Sequence, residues 1–174
     1  MKRLLLPLAA LLAAGCGPIS PDPTRVERDD LAPTGTVRVA VVTDNPVLGR
    51  PDPSRGEPAG TTAVLGKALG THARLPVRLV EYASEGKLVQ DAAAGAWDVS
   101  AVPCRPERKG LDYVLPHYEV AVGSGPATAI CMVVPQGREQ GRNFVAGFVL
   151  RAKSQGIAAR AIEESGLQGV TVTQ

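Results

Sequence analysis

Aromatic side chains are scarce in this chain: three tyrosines, two phenylalanines and one tryptophan among 174 residues. Such a set offers no stacking platform for bases, and no basic stripe makes up for it, so nucleic-acid binding has no support. Histidine is rarer still. His72 and His117 stand far apart, with no CxxC and no His/Cys cluster beside either, so no metal site is expected. The GxSxG, HExxH, phosphate-loop and paired-carboxylate patterns are all missing. The expectation is a protein without a cofactor that is not an enzyme. With Lys2 and Arg3 set aside, seventeen basic residues face seventeen acidic ones, so the rest of the chain has no net charge to steer a polyanion.

What is present begins at the N-terminus. Lys2 and Arg3 precede an apolar run from Leu4 to Leu12, and Ala13, Ala14 and Gly15 lead into Cys16. This order reads as a secretory signal over residues 1–15, its apolar run being too short to span a bilayer as a helix. The cysteine after small residues resembles a bacterial lipobox. That resemblance implies lipidation of Cys16, a membrane anchor and an extracytoplasmic location, in the periplasm or at the cell surface. Pro18, Pro21, Pro23 and Pro33 and many charges make residues 16–35 read as a tether. Cys104 and Cys131 then stand in a compartment that permits a disulfide. Both follow apolar strand-like stretches, which favours two separately buried thiols; a Cys104–Cys131 disulfide is the alternative.

Order is expected from Thr36. Val37–Val42 reads as a buried strand ended by Asp44-Asn45-Pro46, and residues 49–60 form a loop rich in proline and glycine. Helical spacing over Thr61–Ala73 and alternation over Val77–Tyr82 follow. A helix capped by Ser84 and closed by Gly95 comes next, then a strand over 97–102. Alternating strands and helices imply βαβ units, hence an α/β fold with an open, mostly parallel sheet and helices on both faces. A strand over 129–134, helices over 142–154 and 157–164, and a short apolar stretch at Val170–Val172 complete the chain.

The span from Val37 to Tyr118 resembles the polar-amino-acid type of ABC-transporter solute-binding proteins. The likeness rests on several motifs in order: Asp44-Asn45-Pro46 after strand one, Gly56-Glu57-Pro58-Ala59-Gly60 before helix one, and Gly86-Lys87 in helix two. Ala94-Gly95-Ala96-Trp97-Asp98-Val99 then resembles the family's "GxWD", Pro106-Glu107-Arg108 its "PxR", and Leu115-Pro116-His117-Tyr118 its "SPPY". From about Ala129 the chain is again similar to the family's returning C-terminal part. Between these parts the family crosses into a second lobe of about 90 residues or more; here Val122–Thr128 is only a turn.

The resemblance therefore implies one lobe of the periplasmic-binding-protein type II fold over 36–174, with segments 36–122 and 129–174 joined by a short turn. It implies solute capture for an ABC permease, the solute being small and polar, such as an amino acid. Alternatives are an envelope interaction module outside transport, or a decayed binding protein. Arg108 matches the position that holds a ligand carboxylate, a task suited to a planar guanidinium; pairing with Glu107 or Asp112 is the other reading. Asp44 and Asn45 end the first strand, where ligands of open sheets lie, although turn chemistry alone accounts for Asx residues there. Several positions depart from the family pattern: Val64 replaces an acidic residue, Val47 or Leu48 an aromatic, Arg105 an acidic or hydroxyl residue, and His117 a proline. His117 is expected to be exposed. One wall cannot desolvate both sides of a ligand, so weak binding is expected.

Overall fold

The computed structural model describes residues 23–121 and 126–173; the expected signal, Cys16 and most of the expected Val122–Thr128 turn lie outside the described residues. The elements in chain order are α1 (Arg25–Leu31), β1 (Val37–Val42), α2 (Thr61–Ala73), β2 (Val77–Tyr82), α3 (Glu85–Ala92) and β3 (Ser100–Pro103). They continue with β4 (Leu111–Val120), β5 (Thr128–Pro135), α4 (Glu139–Ser154), α5 (Ile157–Glu164) and β6 (Val170–Val172).

β1 is the central strand, and its sequence shows why. Val37, Val39, Ala40, Val41 and Val42 are all buried, the continuous apolar run of a strand covered on both faces. β2 pairs with it in parallel along its whole length, from Val37 opposite Val77 to Val42 opposite Tyr82. On its other side a single parallel bridge joins Val39 to Val99, the residue just before β3. The order β2-β1-β3 makes the two crossovers run in opposite directions. Right-handed crossovers then put α2 and α3 on opposite faces. α2 approaches β1 closely because Gly66 and Gly70 face it: a Cβ on Gly66 would fall 2.5 Å from Val39 Cγ1, and one on Gly70 2.0 Å from Val77 Cγ2.

Two expectations are corrected here. The sheet is mixed rather than mostly parallel, since β3-β5-β4-β6 is antiparallel throughout. β4 is a strand that sequence reasoning did not mark. Pro116 interrupts its alternation and cannot donate to a ladder, and the sheet absorbs it with register shifts between Tyr113 and Pro116 and between Pro116 and Tyr118. β4 and β5 are adjacent and antiparallel, with Val120 opposite Thr128.

The second correction concerns residues 24–35, which belong to the folded body and are not tether. Thr24 and Glu27 form a capping box at the start of α1. Leu31 and Ala32 at its end are buried, at 1% and 2% exposure. Asp30 accepts from the Gly141 backbone N–H at 2.7 Å, so α1 caps the N-terminus of α4, whose own first residues supply no side-chain cap.

The N-terminal ends of β1 and β3 are held by one carboxylate. Asp98 is fully buried. It accepts from Arg38 Nε at 2.9 Å, Arg38 Nη2 at 2.7 Å, the Arg38 backbone N–H at 2.9 Å and Arg138 Nη1 at 2.6 Å. Arg138 Nη1 also donates to the Leu31 carbonyl at 3.2 Å. Trp97, equally buried, donates from Nε1 to the Leu88 carbonyl at 2.9 Å and fixes α3. Replacing Asp98 with Ala leaves two guanidinium groups, 14% and 15% exposed, without their shared counter-charge. Equilibrium urea unfolding should show a loss of about 3–5 kcal/mol. A loss under about 1 kcal/mol would mean that the clamp is dispensable.

Candidate functional site

The reversal of direction between the two crossovers opens a crevice at the C-terminal ends of the strands, between β1 and β3. A cavity of about 200 Å³ lies there, lined by Asn45, Val47, Pro103, Val120, Thr128 and Ile130. Its walls are mainly apolar, with one amide and one hydroxyl as polar groups.

Two features make the walls rigid. The Val47 carbonyl accepts from Thr61 Oγ1 at 2.8 Å and from the Tyr118 hydroxyl at 2.9 Å, and those two oxygens lie 2.9 Å apart. The loop after β1 is thereby tied to the start of α2 and to β4. Burial pushes the Tyr118 phenol well above its ordinary value, so it stays a neutral donor. The second feature is a Cys104–Cys131 disulfide with Cα atoms 5.1 Å apart. It replaces the expected pair of free thiols. β3 lies antiparallel to β5 with Val102 opposite Cys131, which carries the residue just past β3 onto its neighbour. Closing a loop of 27 residues contributes about 3.5 kcal/mol in the chain-entropy account. The bridge joins the residues next to Pro103 and Ile130, so it pins two sides of the crevice.

Of the residues picked from sequence, Asn45 lines the crevice. Its side chain also serves the turn, Oδ1 accepting from the Val47 N–H at 3.1 Å, so both readings of Asn45 hold at once. Asp44 is exposed at the strand end. Arg108 does not line the cavity. It pairs with Glu85, through Nη1 and Oε1, and not with Glu107 or Asp112. Both residues still belong to this edge of the sheet: Glu85 opens the helix after β2, and Arg108 sits in the loop after β3. Glu85 was missed because its meeting with Arg108 depends on the order β2-β1-β3, which sequence spacing does not reveal.

No protein-family model and no curated protein matches the sequence. Solved structures do match. The arginine-bound form of domain 1 from TmArgBP superposes with a TM-score of 0.59 at 20% identity, covering 71% of this chain and 98% of that one. The solute receptor for L-cysteine of Neisseria gonorrhoeae gives a TM-score of 0.69 at 15% identity, covering 86% and 99%. This is the type II binding-protein lobe fold. An ancestral cyclohexadienyl dehydratase also shares it, with a TM-score of 0.63 at 17% identity over 86% and 98%, so the lobe fold accommodates both binders and enzymes.

His117 corrects another expectation. It is 1% exposed, edge-on to the Tyr118 ring with centroids 4.5 Å apart. Neither ring nitrogen meets a hydrogen-bond partner among the described residues. Desolvation, aided by the positive charge of Lys153, lowers its pKa to about 3. The unfolded value is about 6.5. A depressed histidine gives stability that is present above pH 6.5 and lost as pH falls towards 3, because only the unfolded chain takes up the proton. The slope should approach 1.4 kcal/mol per pH unit, roughly, within that window. Urea unfolding between pH 6.5 and 4.5 should show this slope. His117→Leu should flatten it without loss of stability at pH 7, since no hydrogen bond is removed. The same slope in both proteins would assign it elsewhere, for instance to His72, whose pKa burial also lowers.

Proposed function

We propose that this chain is an extracytoplasmic solute-binding component of an ABC importer, reduced to one lobe and taking a small polar solute such as an amino acid. The observation that carries this reading is the walled crevice at the switch point between β1 and β3, in a lobe fold that also occurs as an arginine-bound single domain. The adjacent, antiparallel pairing of β4 and β5 supports the one-lobe form, since the seven residues of sequence between them are too few for a second domain. A binding role is favoured over catalysis because none of the described residues lining the crevice has a titratable side chain, so proton transfer has no partner there. The apolar run before Cys16 supports a lipid anchor, which palmitate labelling of the wild-type and Cys16→Ser chains tests.

Affinity should be low. A partly exposed charge contact contributes about 1 kcal/mol or less, and immobilising a small solute costs several kcal/mol. One wall returns only part of that, which places Kd at about 1 mM. Thermal unfolding with L-arginine, L-cysteine and other amino acids at ten times that concentration should show stabilisation of about 1.4 kcal/mol for at least one of them, a rise of a few degrees. An unchanged Tm across the full set of amino acids would contradict the solute-binding reading.

A further inference from the structure

Four of the six residues lining the crevice between β1 and β3 are apolar: Val47, Pro103, Val120 and Ile130. Pro103, Val120 and Ile130 are buried strand residues, and the Cys104–Cys131 bridge beside two of them keeps that floor from spreading. Asn45 and Thr128 supply the polar groups. Thr128 is exposed, and Asn45 Oδ1 already accepts from the Val47 N–H at 3.1 Å, which leaves the Asn45 amide nitrogen to face a solute. No lining side chain is charged, and the ion pair of Arg108 with Glu85 stays outside the lining. At about 200 Å³ the space is smaller than the pockets of drug-sized ligands, which run to about 300–1,000 Å³.

We infer that this crevice takes the side chain of the solute, and that it selects a short aliphatic side chain over a charged one. The inference rests on the solute-binding reading above and names the class of solute within it: a small amino acid with an apolar side chain. An ammonium or guanidinium placed among these walls would lose water and meet no carboxylate, the costly way to bury a charge. A methylene gains there instead. Full burial of one raises affinity about fourfold, and a one-lobe site that covers about half of it gives about twofold. The polar end of the solute stays at the mouth, in water and beside Asn45 and Thr128. Val47 is the wall residue through which the choice can be altered. It is half-buried, and its carbonyl, not its side chain, carries the bonds to Thr61 and Tyr118.

The test compares L-norvaline with L-ornithine, which share a carbon skeleton and differ by a terminal ammonium. Saturation-transfer NMR titrations on the full chain in mild detergent give Kd for both, and for glycine, L-alanine and L-2-aminobutyrate. Affinity should rise about twofold with each methylene added from glycine to norvaline, about eightfold in all, while ornithine should bind no better than glycine. Val47→Asp puts a carboxylate on the wall and should reverse the order, so that ornithine binds tighter than norvaline. Val47→Thr keeps the shape and should shrink the gain per methylene, which preserves the test if the aspartate disturbs the fold. A wild type that binds amino acids with equal affinity from glycine to norvaline, or that binds ornithine as well as norvaline, overturns the side-chain selection and leaves solute binding standing. A preference for norvaline that neither Val47 variant moves places the side chain elsewhere and also overturns it. If the wild type binds no amino acid, the solute-binding reading fails and this inference with it.

Discussion

One buried carboxylate organises the lobe. Asp98 meets Arg38 on β1 and Arg138 at the start of α4, and Arg138 reaches on to the Leu31 carbonyl at the end of α1. Segments from three distant parts of the chain therefore converge on one charge. Two cations on one anion inside a protein survive only with good geometry and further hydrogen bonds; the two-point contact of Arg38 and its backbone N–H supply them. The clamp sits at the N-terminal ends of β1 and β3. What remains open is the opposite edge, where loops after β1, β2 and β3 are free of this duty.

That division of labour places chemistry and stability at opposite ends of the same strands. At the C-terminal edge the fixed points are smaller: the Val47 carbonyl held by Thr61 and Tyr118, and the Cys104–Cys131 bridge. They hold the crevice walls without filling the space between them. A rigid wall reduces the ordering cost that a solute must overcome. In the one-lobe reading proposed above it does not stand in for an opposite wall, and weak binding is the expected consequence.

Much of the architecture was legible in the sequence where periodicity was clean. Helices at Thr61–Ala73 and Ile157–Glu164 and a strand at Val77–Tyr82 lie where spacing alone puts them, while Val170–Val172, legible only as a short apolar stretch, is a strand. The failures have separate physical causes. The Thr24-x-x-Glu27 capping box announces α1, but the surrounding prolines mask it; the docking of Leu31 against Gly141, with Asp30 on the Gly141 N–H and Arg138 on the Leu31 carbonyl, gives so short a helix a reason to persist. Pro116 hid β4, and with β4 went most of the antiparallel pairing and the burial of His117; the meeting of Cys104 and Cys131 depends instead on β3 lying antiparallel to β5, which spacing does not reveal. Trp97-Asp98 was read as a family resemblance, while its work as core anchor and clamp required the positions of Leu88, Arg38 and Arg138. At the site, Asn45 could be found from its place after a buried strand. The Arg108–Glu85 pair could not, because it is a consequence of strand order.

The most direct measurement is a map of backbone amide shifts in 15N-labelled protein titrated with L-arginine. Shifts should concentrate at Asn45–Leu48, Val102, Cys104, Val120 and Thr128, which surround the crevice between β1 and β3. Saturating shifts confined instead to the Asp98 end of the strands, or to the α1–α4 side, would contradict the placement of the site, and a spectrum unmoved by ligand would contradict the existence of one.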